Sequence, residues 1–174
     1  MKPDYYNLYL GIDPGLQGAL AFVSHEGDVI SASPLPTRTI RDKKQIDSAN
    51  LYHMIKAYVD NIRFTSVEHV HAMPKQGVVS TFSFGKGFGM ILSILEVLNL
   101  RYNEPTPQAW KKDILGQSTP DKAKSLAYAM SVPMKRDFVH IRRGLTPHDG
   151  VADAICLARY ARKYYKENLR GRYE

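Results

Sequence analysis

Four carboxylates stand where a folded chain could use them as a set. Asp13 ends a short apolar run, Tyr6 to Ile12, inside the segment Gly11-Ile12-Asp13-Pro14-Gly15. Glu68 interrupts the β-prone run Thr65 to Val70. Asp149 and Asp153 are four residues apart at the start of a helical pattern, a spacing that puts both on one face. A buried carboxylate without a partner is costly. Acids that converge in a partly buried place must therefore hold a cation or take up protons. Oxygen donors select hard ions such as Mg²⁺ or Mn²⁺. Two such ions about 4 Å apart can activate a water and stabilise the leaving oxygen in phosphodiester hydrolysis. Each acid also has a plainer use. Asp13 can open a turn, Glu68 can pair with a cation at a sheet edge, Asp149 can cap a helix, and Asp153 can complement the helix dipole.

Rival chemistries are poorly represented. Gly85-Lys86-Gly87-Phe88-Gly89 lacks the spacing of a phosphate-binding loop, and the six histidines form no His-Glu-x-x-His pair. Ser80 and Ser83 have no evident base. The single cysteine, Cys156, excludes an internal disulfide framework and a cysteine-rich zinc site, and suits a reducing compartment.

The elements that must position the acids follow from patterning. Tyr6–Ile12, Gly18–Val23 and Asp28–Ser33 read as strands, the last two joined by a short Gly-containing loop. Arg38 to Lys44, following Pro34 and Pro36, reads as a surface loop. Leu51, Met54, Ile55, Tyr58, Val59 and Ile62 have helical spacing, with Asp47 or Ser48 as the cap. Thr65–Val70 is a strand. Met73 to Phe84 is a loop entering a helix that continues through Phe88 to Leu100. A strand is expected near Arg101-Tyr102, a helix over about Asp121 to Met130, and a basic irregular stretch from Pro133 to Pro147. A final helix runs from His148 or Asp149 to Tyr165. Strands alternating with helices imply an α/β layer fold on a mixed sheet. The 174 residues suit one domain, 1–174, with 165–174 a basic tail.

The longest unbroken apolar runs fall short of the roughly 18 residues that span a bilayer. Met1 to Tyr6 carries Asp4 and no apolar segment, so no secretory signal is expected. Residues 1–100 hold nine basic and nine acidic residues, whereas 101–174 hold 15 basic and eight acidic, so the whole net charge of +7 lies in the last 74. That asymmetry fits a polyanion partner or, more plainly, a solvated helix face with a basic tail.

Gly11 to Gly15, Val67-Glu68-His69-Val70 and Asp149-Gly150-Val151-Ala152-Asp153-Ala154 resemble the three acidic motifs of the RuvC-type Holliday junction resolvases. Bacteriophage-encoded members are the most similar, through Pro107-Gln108-Ala109-Trp110-Lys111-Lys112 and the Asp-Gly-x-Ala-Asp-Ala pattern. The resemblance runs from about Leu8 to Ala161. It implies a ribonuclease-H-like fold, a mixed five-stranded sheet flanked by helices. It also implies a homodimeric endonuclease that nicks two opposing strands of a four-way DNA junction, leaving 5′-phosphate and 3′-hydroxyl ends. Asp13, Glu68, Asp149 and Asp153 would then be the metal ligands for two Mg²⁺ or Mn²⁺ ions, with His148 a further candidate. The family's two functional lysines fall on Lys111 and Lys122. DNA contacts are expected from His71, Lys75, Gln76, Lys86, Lys112, Arg142 and Arg143, and His69 and Phe82 could approach unstacked bases. His71 stands where cellular members carry a Phe that wedges the junction. The dimer helix would be Gly85–Leu100, with Met90, Ile91, Ile94, Leu95 and Leu98 shared between core and seam. The implied setting is the cytoplasm of a bacterial or phage-infected cell, with no membrane and no nucleotide cofactor. A nuclease of the same fold acting on flaps or RNA–DNA hybrids, and a non-catalytic junction-binding protein, stay open as alternatives.

Overall fold

The computed structural model describes residues 7–71, 77–116, 122–134 and 149–169. Strands β1 (Leu8–Asp13), β2 (Ala19–Val23), β3 (Val29–Pro34), β6 (Ile62–Val67) and β7 (Tyr102–Asn103) form one sheet in the order β3-β2-β1-β6-β7. The first three pair antiparallel, whereas β6 runs parallel to β1 and β7 parallel to β6. Alternation along β1 divides the core. Leu8, Leu10 and Ile12 face helices α1 (Ser48–Lys56) and α2 (Val78–Val97), where Leu51, Ile55, Ile91 and Leu95 are buried. Tyr9 faces the other way, toward α4 (Lys122–Ser131) and α5 (Asp149–Asn168). Helix α3 (Pro107–Leu115) sets Trp110 against Cys156 and Leu157 of α5.

Helix α5 lies directly on the β1 backbone. A Cβ built on Gly11 would sit 2.1 Å from the Ala158 nitrogen and 2.3 Å from the Ala154 carbonyl oxygen. At the second residue of α5, a Cβ on Gly150 would sit 2.5 Å from the Gln17 carbonyl oxygen. Only hydrogen fits at either point. Gly11 thus admits the backbone of a helix.

Several boundaries differ from the patterned expectation, each for a local reason. Arg38 to Lys44 is a hairpin rather than a loop, with β4 (Thr37–Ile40) paired antiparallel to β5 (Lys43–Ile46). Its turn uses Arg41 and Asp42, both at positive φ (49° and 60°), where Asn-Gly is the usual signal. Helix α1 is capped by Asp47, whose Oδ1 accepts from the Asn50 nitrogen at 3.2 Å. It stops at Lys56, and after a 3-10 turn at Val59–Asn61 the chain enters β6, so Ile62 belongs to the sheet. Strand β6 ends at Val67, which places Glu68 just beyond a strand end. Helix α3 was not anticipated, although Thr106 caps it, Pro107 opens it and Gly116 (φ 71°) closes it. Helix α5 runs on to Asn168 with Tyr165 buried, so residues 165–168 are not tail.

Helix α2 also corrects an expectation. Its glycines, serines and Lys86 break up the apolar runs, yet by length and composition it is long and apolar enough to cross a membrane. In the fold its C-terminal half gives Ile91, Ile94 and Leu95 to the core, followed by Leu98, while Val78, Val79 and Phe82 in its N-terminal half are exposed.

Gly11→Ala should cost about 3 kcal/mol or more, because the added methyl meets backbone that cannot swing aside. Thermal unfolding should show a fall of roughly 6–12 °C in Tm. A Tm within about 2 °C of wild type would mean that α5 can lift from β1 cheaply.

Candidate active site

Strand order and helix packing bring distant acids to the C-terminal end of the central β1 and β6 strands. Asp13 is the last residue of β1. The Glu68 backbone nitrogen donates to the carbonyl oxygen of Ile12 at 3.0 Å, so the residue after β6 is tied beside Asp13. The glycine contacts lower the first turn of α5 onto the same place, and a Cβ on Gly150 would lie 3.1 Å from Asp13 Oδ2. Asp153, one turn further along α5, completes the group.

The electrostatics record this closeness. Burial pushes the Asp13 carboxyl up to about 8 from its ordinary 3.8, helped by the negative charges of Glu68 and Asp153 and opposed by Lys111. Glu68 is raised chiefly by burial and then by Asp153, against the Trp110 hydrogen bond and Lys111. Asp153 is raised by burial, against the Ser125 hydroxyl and Lys111. Three mutually repelling acids and one ammonium therefore share a poorly solvated space.

The surrounding side chains fix the acids. Trp110 is fully buried and its indole Nε1–H donates to Glu68 Oε1 at 3.0 Å. Lys111 lies over the Trp110 ring, its Nζ 5.0 Å from the centroid. Ser125, buried on α4, hydrogen-bonds Asp153. Trp110 and Ser125 were absent from the sequence-derived site. The Trp is visible in the Pro-x-x-Trp-Lys-Lys motif, whereas nothing local marks the Ser.

Asp149 stands apart from the half-buried trio. It is exposed, and its Oδ2 accepts from Lys122 Nζ at 2.7 Å. That bond and its charge raise Lys122 above the ordinary range. Asp149 still reaches the group electrostatically, because its charge raises Asp153. Lys112 is exposed on α3 and Lys86 on α2, where its Nζ donates to Gln45 Oε1 at 3.4 Å. His71 is exposed and stacks on His69 at 6.2 Å between ring centroids, and His69 Nδ1 lies 3.5 Å from Glu104 Oε2. Phe82 is 73% exposed. Lys75, Gln76, Arg142, Arg143 and His148 lie outside the described residues.

Among the described residues, no three His, Cys, Asp or Glu side chains lie close enough together to hold a metal ion as they stand. The donor chemistry nonetheless fits a hard divalent ion. All three half-buried ligand candidates are carboxylates, and their raised proton affinities mark a negative charge that the fold itself leaves under-compensated.

Compared by sequence, the chain matches no family model and no curated protein. Compared by structure, it is similar to RuvC of Thermus thermophilus, with a TM-score of 0.57 and 18% identity over 92% of this chain and 96% of that one. A second structure, T. thermophilus RuvC in complex with Holliday junction substrate, gives a TM-score of 0.59 and 16% identity over the same shares. The chain has the RuvC fold. That is the ribonuclease-H-like α/β architecture with a mixed five-stranded sheet, and in this RuvC-fold chain the acids gather at the end of the central β1–β6 pair.

The Asp13 shift sets a pH dependence in metal-free buffer. Between its ordinary 3.8 and about 8, the folded chain holds a proton that the unfolded chain has released. Its contribution to stability is full below about pH 4 and is lost as pH rises through 8. With EDTA at pH 8, Asp13→Asn should therefore melt roughly 5 °C or more above wild type. Near pH 4 the two should coincide. Equal melting at both pH values would show that Asp13 is solvated.

Proposed function

We propose that the chain is a divalent-cation-dependent endonuclease that resolves four-way DNA junctions by paired nicks, acting as a homodimer. The observation that carries this reading is the half-buried, mutually repelling set Asp13, Glu68 and Asp153 at the end of the central strands of a RuvC fold, with the Lys111 ammonium beside it. Asp13, Glu68 and Asp153 would hold Mg²⁺ or Mn²⁺, with Asp149 at the exposed mouth, and the expected number is two ions. When bound, such ions supply Lewis acidity at the phosphate and a water made acidic enough to attack.

The remaining work falls to the chain's own side chains. Trp110 keeps Glu68 in one orientation and Ser125 keeps Asp153 in another, the support that metal-binding carboxylates generally need. Lys111 offsets negative charge that grows on the phosphoryl oxygens during displacement. Lys122, drawn to Asp149, is placed to follow the phosphate at the mouth. The exposed Lys86, Lys112 and His71 are backbone or base contacts in this reading, as are Lys75, Gln76, Arg142 and Arg143. For the homodimer, support comes from the exposed Val78, Val79 and Phe82 on α2 and from a groove where Ser48, Ala49 and Tyr52 face Met90 and Val97. In this reading the seam moves from the buried Ile91, Leu95 and Leu98 to the flank of α2 beside α1, where Ile94 still lines the groove, and to the N-terminal half of α2.

The direct test offers synthetic four-way, three-way and flap DNAs with Mg²⁺ and maps the cuts on every strand. The expected result is symmetric nicks on opposing strands of the four-way junction. Asp13→Asn should bind that junction like wild type and lose cleavage at least 1,000-fold, on the order expected when a ligand of the reacting centre is removed. Full cleavage by Asp13→Asn, or cuts confined to flaps, would overturn the reading. Trp110→Phe, which deletes the donor to Glu68 and leaves a cavity where the buried indole stood, should weaken Mn²⁺ affinity roughly 10–100-fold by calorimetry and also lower Tm.

A further inference from the structure

The β4–β5 hairpin carries Arg38, Arg41, Lys43 and Lys44 against one acid, Asp42, and all five are exposed. None of the four cations makes a side-chain hydrogen bond or ion pair with any described residue. Surface charge on an exposed ribbon can serve merely to deter edge-to-edge pairing. Two features of the fold argue for more.

The first is position. Asp13 pairs with Ala19, and Ala19 pairs with Pro34, so the end of β3 lies two strands from Asp13 in the same row. At the usual strand spacing that is about 10 Å. Strand β3 runs in the same direction as β1, so the chain leaves it over the edge where Asp13 and Glu68 emerge. The hairpin root is fastened there. The Leu35 nitrogen donates to the Gly18 carbonyl oxygen at 2.9 Å, and the Asp47 nitrogen to the Pro36 carbonyl oxygen at 2.8 Å. Helix α2 spans the gap, with Phe84 against Gly15, Gly87 against Ile46 and Lys86 bonded to Gln45. From that root each strand reaches about 13 Å. The second feature is the tip. Arg41 and Asp42 both adopt a left-handed backbone that Asn and Gly adopt more readily. A long cation is thus kept at the apex of a turn whose geometry does not favour it.

We propose that this hairpin is a phosphate-gripping arm for the DNA flanking the scissile position, with Lys86 at its base. The proposal rests on the reading of the edge around Asp13 as the place where DNA is cut. Duplex DNA presents one charge per roughly 1.7 Å of axis. The span about 10–20 Å from a phosphate at Asp13 therefore offers on the order of six more, within reach of Arg38, Arg41, Lys43 and Lys44.

The test compares wild type with the variant R38Q/R41Q/K43Q/K44Q, whose changes are all exposed and should leave Tm unaltered. Binding to a four-way junction and to plain duplex is measured in EDTA across a salt series, and wild-type cleavage is measured separately with Mg²⁺. The variant should bind both DNAs at least about tenfold more weakly near 100 mM salt, and its log K against log salt slope should be shallower by roughly 2–4. Lys56→Gln, at the far end of α1, should change that slope by less than about 1. Unchanged affinity and slope in the quadruple variant would overturn the proposal and leave the charges as guards of an exposed strand pair. If wild type cuts no junction yet its duplex binding still depends on the hairpin, the resolvase reading fails and the arm stands. If wild type binds neither DNA, both fall.

Discussion

The close approach of α5 to β1 is the constraint on which the site depends. Two backbones meet at Gly11 with no side chain between them, and Gly150 repeats the arrangement at the helix N-terminus. An alanine at either point would push the first turns of α5 outward. Asp153 belongs to those turns, whereas Asp13 ends β1 and Glu68, just past β6, is tied to Ile12 by its backbone nitrogen. The distance between the helix acid and the strand acids is therefore set by two missing methyl groups. The energetic support comes from elsewhere on α5, where Ile155, Leu157, Ala158, Ala161 and Tyr165 are buried.

What this packing creates is a local instability. Desolvation and mutual repulsion raise the proton affinity of all three acids, and Asp13 is left mostly protonated at neutral pH unless a cation replaces the proton. Lys111 relieves part of the repulsion, and the Trp110 and Ser125 hydrogen bonds relieve more. A neutral asparagine would suit the fold better than Asp13 does. The carboxylate is costly to the fold and fits chemistry that needs concentrated negative charge, a trade in which stability at a site is given up for function.

Much of this was legible before the fold was seen, and the misses have local causes. The three opening strands, the helix capped by Asp47 and the last helix announce themselves through alternation, capping and helical spacing. The acids stand out as a set, because a strand end, a β-prone run and a helix start are an unusual combination of places for carboxylates. The hairpin was hidden because its turn lacks Gly or Asn and its strands, exposed on most of their surface, do not alternate. Helix α3 was hidden by its two flanking prolines, one of which in fact starts it. Asp149 looked equivalent to Asp153 from spacing alone. Its bond is to Lys122 on α4, 27 residues earlier in the chain. The partnership of Ser125 with Asp153 arises the same way, from helix packing that no local pattern encodes.

The claim that a cation takes the place of a proton at Asp13 can be read directly from the heat of Mn²⁺ binding in buffers of different ionisation enthalpy. With Asp13 pushed up to about 8, binding near pH 7 should release about one proton per chain, falling toward zero above about pH 9. The release should vanish in Asp13→Asn. Mn²⁺ binding with no proton release near pH 7, or no binding at all, would contradict the account.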